Sequence, residues 1–230
     1  MTTSPRLLLL ETSGRQGFVA VAAGSKVLGV QLLDEGRRHA RDLAPSVVKL
    51  VRDQGWTIRD LDAVAVSCGP GSYTGLRVGI MSAKTLAYAT GCTLLGIETF
   101  AVVARQAPQQ CTRLTVLADA QQERVYVQSF VRQPTGWQAI EELTIRPFAE
   151  WLASHPLDSW ISGPGLSRWQ THLPAEARVV AEERQLPGVA GLLEVALEHL
   201  AAGKRDDPFR LEPLYLRASS AELQWQALGR

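Results

Sequence analysis

Short apolar runs alternate along the chain with longer segments in which apolar residues recur every three or four positions. The short runs are typical of buried strands, and the longer periodic segments are typical of helices that pack on a sheet. The pattern therefore predicts an α/β fold. The predicted strands are residues 6–12, 17–23, 26–33, 62–68, 93–97, 114–118, 124–131, 137–143, 159–162 and 178–181, and the predicted helices are residues 39–54, 73–90, 99–106, 148–154 and 188–202.

The helix predicted over residues 73–90 has a stripe of small side chains. Ser72 or Thr74 can cap its first amides, and Gly91 is placed to end its last turn. Every fourth residue on one face is glycine or alanine, so another backbone can approach that face closely. The stripe consists of Gly75, Gly79, Ala83 and Ala87. We interpret it as a docking face.

The helix predicted over residues 39–54 has one apolar face and ends at Gly55. The apolar face includes Leu43, Val47 and Leu50. Pro45 lies inside the helical pattern and predicts either a later start or a kink, because proline lacks an amide hydrogen and its ring clashes with the preceding turn.

The order of elements in the first half of the chain returns in the second half. In each half a strand ends at an acidic residue, Glu11 or Asp119, and a returning strand follows. Later in each half an apolar run leads into a Gly-Pro-Gly turn, at residues 69–71 and 163–165. We interpret this order as a divergent internal duplication; the alternative is that any two α/β halves share strands and glycine turns. The predicted units are an N-terminal lobe over residues 1–108, a C-terminal lobe over residues 109–203, whose last helix can pack on the first lobe, and an extended tail over residues 204–230.

Composition and charge fit two modest α/β cores. Of the 230 residues, 46% are hydrophobic, and the formal net charge is +1, so no large basic field favours unaided binding to nucleic acid. The three cysteines form no close pair, which indicates neither a zinc knuckle nor a disulfide framework. The apolar run over residues 7–10 is too short for a signal-peptide core or a membrane span, and we expect a cytoplasmic protein.

The two glycine turns and the two acids suggest a nucleotide site between the lobes. A glycine turn that leads into a helix presents amides and the positive end of the helix dipole, both of which favour phosphate. An acid at a strand end can hold magnesium beside that phosphate. The candidate residues are Glu11, Ser13, Gly69, Gly71, Ser72, Asp119, Gly163 and Gly165. The alternative is structural, because residues 69–75 match neither a P-loop nor a dinucleotide fingerprint, and both acids can be turn residues with solvated carboxylates.

The spacing of histidine and serine indicates no reactive centre. The four histidines are scattered, and no two of them form the i, i+4 pair of a zinc site. Ser72 lacks the Gly-x-Ser-x-Gly setting of a nucleophile, and helix capping explains it more simply. We therefore expect neither a metal site nor a catalytic residue.

Four segments together resemble the TsaB family, also called YeaZ, over nearly the whole chain. The glycine motif among them is highly specific to this family and to its larger relative TsaD. The segments are Glu11-Thr12-Ser13, Gly69-Pro70-Gly71-Ser72-Tyr73-Thr74-Gly75-Leu76-Arg77-Val78-Gly79, Asp119-Ala120 and Pro213-Leu214-Tyr215-Leu216-Arg217. The resemblance implies a duplicated actin-like ATPase (ASKHA) fold, with two lobes that each contain a mixed sheet and flanking helices.

For function, the resemblance implies a subunit that does not itself catalyse. In this family the catalytic, metal-bearing subunit is TsaD, which makes threonylcarbamoyladenosine beside the tRNA anticodon. TsaB pairs with it, the ATPase TsaE docks on the pair, and TsaC supplies threonylcarbamoyl adenylate. TsaD-like proteins carry a His-x-x-x-His metal pair after the glycine-motif helix. The comparable segment of this chain, residues 98–104, contains no histidine. We therefore expect a TsaD-like partner, a TsaE-like ATPase, a homodimer when the chain is alone, tRNA contact only through the complex, and no membrane partner.

The resemblance also implies that the helices over residues 39–54 and 73–90 form the partner contact. The residues expected there are His39, Leu43, Val47, Leu50, Gly75, Gly79, Met81 and Ala83. The alternative is that both helix faces pack inside their own lobe.

Two departures from the family weaken a nucleotide claim. Glu11 stands where the family usually has aspartate, and Gln121 stands where an arginine often follows Asp119-Ala120. No cofactor is expected, and the alternative is ATP or ADP with magnesium at a subunit interface. The second hypothesis for the whole chain is a small ATP-dependent kinase or hydrolase that uses the cleft between the lobes. A metallopeptidase is disfavoured, because the metal ligands are missing from the sequence.

Overall fold

A computed structural model of the chain describes residues 4–33, 39–156 and 158–216, with the backbone alone for residues 39 and 40. Residues 217–230 of the predicted tail and the side chain of His39 lie outside this description. The strands are β1 (Arg6–Glu11), β2 (Gly17–Ala23), β3 (Lys26–Leu33), β4 (Ala63–Gly69), β5 (Thr93–Glu98), β6 (Arg113–Asp119), β7 (Arg124–Gln133), β8 (Gly136–Ala139), β9 (Thr144–Pro147), β10 (Trp160–Ser162) and β11 (Arg178–Val179). The α-helices are α1 (His39–Asp53), α2 (Tyr73–Thr90), α3 (Thr99–Arg105), α4 (Phe148–Ser154), α5 (Leu166–Trp169) and α6 (Val189–Ala201).

Two mixed sheets repeat one strand order. The first sheet runs β3-β2-β1-β4-β5, and the second runs β8-β7-β6-β10-β11, with β9 paired to β7 beside this path. In each sheet three strands form an antiparallel meander, and two further strands pair in parallel. Parallel neighbours need a crossover, which α2 supplies between β4 and β5. The repetition confirms the predicted duplicated, two-lobed α/β fold of the actin-like type.

Helices cover both faces of the first sheet. On β1, Leu8 and Leu10 lie in the cluster formed with α1 and α2, whereas Leu7 and Leu9 lie in the cluster formed with α6. Because both faces are covered, β1 is a continuous apolar run rather than an alternating one. The same layering holds α1 and α2 side by side on one face.

Helix α3 packs on the second sheet although it follows the last strand of the first. Its Phe100 and Val103 share a cluster with Leu114 and Val116 of β6. Helix α6 contacts α3 closely, since a Cβ on Gly191 would lie 2.6 Å from the carbonyl oxygen of Val102. Helix α3 also contributes Val102 to the first-sheet cluster that contains α6, so it contacts both sheets, and the division of the chain at residues 108 and 203 stays a prediction.

One local expectation was wrong, and for another the structure excludes one of two alternatives. The strand predicted over residues 137–143 ends at Ala139, and a separate strand, β9, then pairs with β7. The later start that Pro45 allowed for α1 is not found, since the helix begins at His39 and continues through the proline. The glycines placed to end helices do so: Gly55 and Gly91 have φ of +70° and +77°.

The turn between β6 and β7 has an unusual backbone. Three consecutive residues without the freedom of glycine, Gln121, Gln122 and Glu123, have φ of 62°, 50° and 56°. Each such residue in the left-handed region costs about 1–2 kcal/mol. Hydrogen bonds hold the turn, with the Gln121 amide donating to the Asp119 carboxylate over 2.9 Å and the Ala120 amide donating to the Arg124 carbonyl over 3.0 Å.

Replacing Gln122 by glycine should stabilise the protein. The side chain is exposed, so its loss removes little packing, while relief of left-handed strain outweighs the added freedom of the unfolded chain. We expect the free energy of unfolding to rise by about 0.5–1 kcal/mol in urea titrations. Gln138→Gly, at an exposed strand position of β8, is the matched control and should be destabilising. An equal loss in both variants would contradict the strain assignment.

Candidate partner-binding surface and glycine turns

The first glycine turn packs on the chain that leaves β1. The Ser72 amide donates to the Ser13 carbonyl oxygen over 2.6 Å, and a Cβ on Gly71 would lie 2.4 Å from the same oxygen. Ser72 also caps α2, since its hydroxyl accepts from the Gly75 amide over 3.2 Å, as predicted for this position. The Ser72 amide, which a phosphate would need as a donor, is therefore already bonded to a carbonyl of the same lobe.

The small-residue stripe of α2 also faces its own lobe. A Cβ on Gly75 would lie 2.0 Å from the Thr12 carbonyl oxygen, and a Cβ on Gly79 would lie 2.2 Å from Thr12 Oγ1. The Thr12 hydroxyl donates to the Gly75 carbonyl over 2.8 Å. The close approach predicted from the stripe is thus real, and at Gly75 and Gly79 the residue that approaches is Thr12 of the same lobe.

The Glu11 carboxylate is enclosed. Its side chain has no solvent exposure, the Ser13 amide donates to Oε1 over 2.5 Å, and the Ser67 hydroxyl donates to Oε2. These contacts explain how a carboxyl group is accommodated at the end of a buried strand, since a buried polar group needs hydrogen-bond partners.

The second glycine turn repeats the packing of the first. The Gly165 amide donates to the Leu117 carbonyl over 3.0 Å, and a Cβ on Gly163 would lie 2.3 Å from that oxygen. Asp119, at the end of β6, forms an ion pair with Arg168 at 3.1 Å. Arg168 donates hydrogen bonds to the Asp119 carboxylate, and these bonds raise the pKa of its guanidinium.

The geometry of these residues does not fit a magnesium nucleotide. Glu11 is closed by its own chain, Asp119 is paired with Arg168, and the Ser72 and Gly165 amides already donate to carbonyls. A site for magnesium and phosphate needs carboxylate oxygens and turn amides that point to the ligand.

The cysteines are poor nucleophiles, because burial disfavours their thiolates. Burial raises the pKa of Cys68 to about 12 and that of Cys111 to about 11, and it also raises the pKa of Cys92. Within residues 4–33, 39–156 and 158–216, no three His, Cys, Asp or Glu side chains are grouped so as to hold a metal. In the same ranges, no helix combines the length and apolarity that crossing a bilayer requires.

Most of the residues expected at the partner contact are buried in their own lobe, and their part in that contact stays a prediction. The first-sheet cluster encloses the apolar side chains of α1, and the Thr12 segment covers the glycines of α2. Buried in this way are Leu43, Val47, Leu50, Gly75, Gly79 and Ala83. Met81 alone among the described residues of that set is exposed, at 57%.

The opposite face of α2 is open and carries apolar side chains. We call Thr74, Arg77, Met81, Thr85 and Tyr88 the outer face of α2, since all five are exposed and fall on one side of the helix. Tyr88 is 72% exposed. Sequence reasoning missed this residue, although its spacing of seven from Met81 on the far side from the glycines could have identified it.

Helix α1 extends this surface, because the two helices contact each other on the same face of the sheet. Val48 is 40% exposed and lines a shallow hollow with Ala44 and Pro45. Val48 was also missed by sequence reasoning, which selected the buried side of the helix.

The two lobes share one strand order, and in each lobe a glycine turn is hydrogen-bonded to the chain at the end of the first strand. This arrangement defines a protein of the actin-like α/β class. The sequence matches the family described as TsaD, tRNA N6-adenosine threonylcarbamoyltransferase, over residues 29–225. It is 30% identical to the tRNA threonylcarbamoyladenosine biosynthesis protein TsaB of Escherichia coli K12, over 92% of this chain and 97% of that one. The chain belongs to the TsaB (YeaZ) family.

Solved structures agree with this assignment. A Pseudomonas aeruginosa protein described as similar to peptidase YeaZ superposes with a TM-score of 0.81 and 26% identity, over 93% of this chain and all of that one. YeaZ from Pseudomonas aeruginosa superposes with a TM-score of 0.78 and 26% identity, over 92% of this chain and all of that one. The family expected from the glycine motif is therefore confirmed.

Proposed function

We propose that this chain is a non-catalytic subunit for the formation of threonylcarbamoyladenosine in tRNA. The E. coli relative is named for that biosynthesis, and we carry the role to this chain. In the proposal it pairs with a TsaD-like catalytic subunit in the cytoplasm, a TsaE-like ATPase docks on the pair, and tRNA meets it only through the complex. When it is alone, the same surface joins two copies as a homodimer.

One observation carries the non-catalytic part of the proposal. Glu11 and Asp119 stand at the two strand ends from which an actin-like ATPase would hold its metal, and the chain's own groups hold both carboxylates. Freeing them would break the Ser13 and Ser67 hydrogen bonds to Glu11 and the ion pair of Asp119. Burial also raises the pKa of the Cys68 thiol, which disfavours its thiolate beside Glu11.

The outer face of α2 and the neighbouring part of α1 supply the pairing surface. Met81, Tyr88 and Val48 are exposed apolar side chains on adjacent helices. Met and Tyr are enriched where protein surfaces meet, and burial of their area stabilises a complex by about 25 cal/mol per Å² before the costs of association. The buried glycine stripe contributes indirectly, because it seats α2 firmly on its own sheet.

Association with the TsaD-like subunit of the same organism tests the proposal. Mixed in equal amounts, the two purified chains should elute together in size-exclusion chromatography, and the TsaE-like ATPase should join the pair. Calorimetry of the lone chain with magnesium and ATP tests the alternative of a small kinase or hydrolase. Separate elution of the two chains, together with steady ATP turnover by this chain, would favour that enzyme over the subunit.

A further inference from the structure

The segment after α6, residues 204–216, lies along the first lobe, and we call it the strap. The Asp206 amide donates to the Leu94 carbonyl over 2.9 Å, and the Asp206 carboxylate accepts from the Gly96 amide over 2.7 Å. Further on, the Leu214 amide donates to the Cys68 carbonyl over 2.8 Å. The strap therefore runs from the edge strand β5 to the glycine turn at the end of β4.

The strap is also fixed to α2. Lys84 Nζ donates to the Leu211 carbonyl over 3.0 Å, and the Leu211 side chain packs against the first-sheet core. These contacts leave the backbone of the strap held on one side by the sheet and on the other by the helix.

Two aromatic side chains of the strap extend the outer face of α2. Tyr215 stacks on Tyr73 with ring centroids 4.8 Å apart, and its hydroxyl accepts from Arg77 Nε over 2.9 Å. At the other end of the helix, Phe209 meets Tyr88 edge-on at 5.6 Å. Phe209 is 77% exposed and Tyr215 is 41% exposed, so part of each side chain is open to solvent.

We propose that the strap is the third element of the pairing surface, and that Phe209 and Tyr215 contact the protein partner directly. The inference rests on the proposed function and deepens it. The surface then has α1 on one side, α2 in the middle and the strap on the other side, with Met81 near its centre. Rigid aromatic side chains of this kind often carry most of the binding energy at a protein interface.

Charge indicates the kind of partner. Helix α2 contains no acidic residue, and its charged residues are Arg77 and Lys84. Arg210 of the strap lies 3.8 Å from the Asp207 carboxylate, and the basic and acidic residues of the strap balance, so the basic character of the surface comes from α2. The surface that faces α2 should therefore be apolar with carboxylates near Arg77 and Lys84, since opposite charges across an interface steer association and select the partner.

A protein fits this surface better than a single RNA strand. RNA would need a continuous basic groove with successive stacking platforms. Here Met81 and Thr85 separate the Tyr73–Tyr215 stack from the Tyr88–Phe209 pair. The family match to TsaD adds that the partner is homologous to this chain, so corresponding helical faces can pair about an approximate two-fold axis.

Removal of the two rings tests the inference. Phe209→Ala and Tyr215→Ala should each raise the Kd for the TsaD-like subunit about tenfold or more, measured by calorimetry. Tyr215→Phe keeps the stacked ring and should bind within about threefold of the wild type. Leu186→Ala removes an exposed apolar side chain far from α2 in sequence and serves as the matched control. Thermal melting of each variant checks that the fold is kept.

The outcomes separate the inference from the proposed function. If Met81→Asp blocks pairing while both alanine variants bind like the wild type, the strap is not part of the interface and the inference is wrong, although the proposed function stands. If Met81→Asp binds normally, the pairing surface itself is wrong. If the alanine variants instead lose affinity for an unmodified tRNA transcript and keep that for the protein, the aromatic residues bind RNA and the inference is overturned.

Discussion

Gly79→Ala will lower the free energy of unfolding by about 2 kcal/mol, and the loss will shrink to below about 0.5 kcal/mol in a Thr12→Ala background. The new methyl group would lie 2.2 Å from Thr12 Oγ1, which is too close for any real contact. Without the hydroxyl, the nearest remaining atoms of that residue and of Val66 are Cβ at 3.4 Å and Cγ2 at 3.3 Å, which the structure can accommodate.

Gly75→Ala is the matched comparison for this cycle. Its methyl group would meet the backbone carbonyl of Thr12 at 2.0 Å, and no substitution at residue 12 removes that oxygen. We expect a loss of more than about 3 kcal/mol in either background. Urea titrations of the single and double variants measure all of these values. Equal losses for Gly79→Ala with and without the Thr12 hydroxyl would show that the stripe does not seat α2 in the way described.

Met81→Asp will raise the Kd for the TsaD-like subunit by about 100-fold or more, because it places an unpaired charge at the centre of an apolar contact. The stability of the lone chain should change by less than about 0.5 kcal/mol, since the side chain is 57% exposed and is not a member of the first-sheet cluster. Calorimetric titration gives the affinity, and urea titration gives the stability.

Leu186→Asp is the matched control for that substitution. It introduces the same charge at an apolar residue that is 43% exposed and lies before α6, where its carbonyl accepts from Gln106. We expect it to bind like the wild type. A similar loss of affinity in both variants would mean that added negative charge, rather than the site of the substitution, weakens the complex.

The strands and helices followed closely from the sequence because their signals are local. Apolar runs bounded by turns located β1 and β4, and Ser72 and Gly91 marked the two ends of α2. The repeated order of these signals was enough to predict a duplicated fold. The break after Ala139 escaped notice, since Ile140 and Leu143 continue the apolar pattern across it.

The sequence did not predict which face of a helix packs on its own lobe and which face is exposed. Four small residues on α2 show that something approaches closely, but the partner in that contact, Thr12, lies more than sixty residues earlier in the chain. A periodic pattern defines two faces and does not say which one the lobe itself uses. The partner contact was therefore assigned to the buried face. Sequence reasoning also missed the ion pair of Arg168 with Asp119, because the two residues are far apart in the chain.

The left-handed turn at residues 121–123 had no sequence signal at all. Glutamine and glutamate rarely adopt positive φ, and neither residue type marks such a turn. Its conformation follows from hydrogen bonds that close the β6–β7 hairpin.

The transfer reaction itself tests the central claim most directly. Unmodified tRNA and threonylcarbamoyl adenylate are supplied to the TsaD-like subunit and the TsaE-like ATPase, and threonylcarbamoyladenosine is counted by mass spectrometry. We predict that the wild-type chain raises the yield well above that of the mixture without it, that Met81→Asp does not, and that this chain without the TsaD-like subunit forms no product. Product formed by this chain in the absence of the TsaD-like subunit, or full rescue by Met81→Asp, would contradict the account.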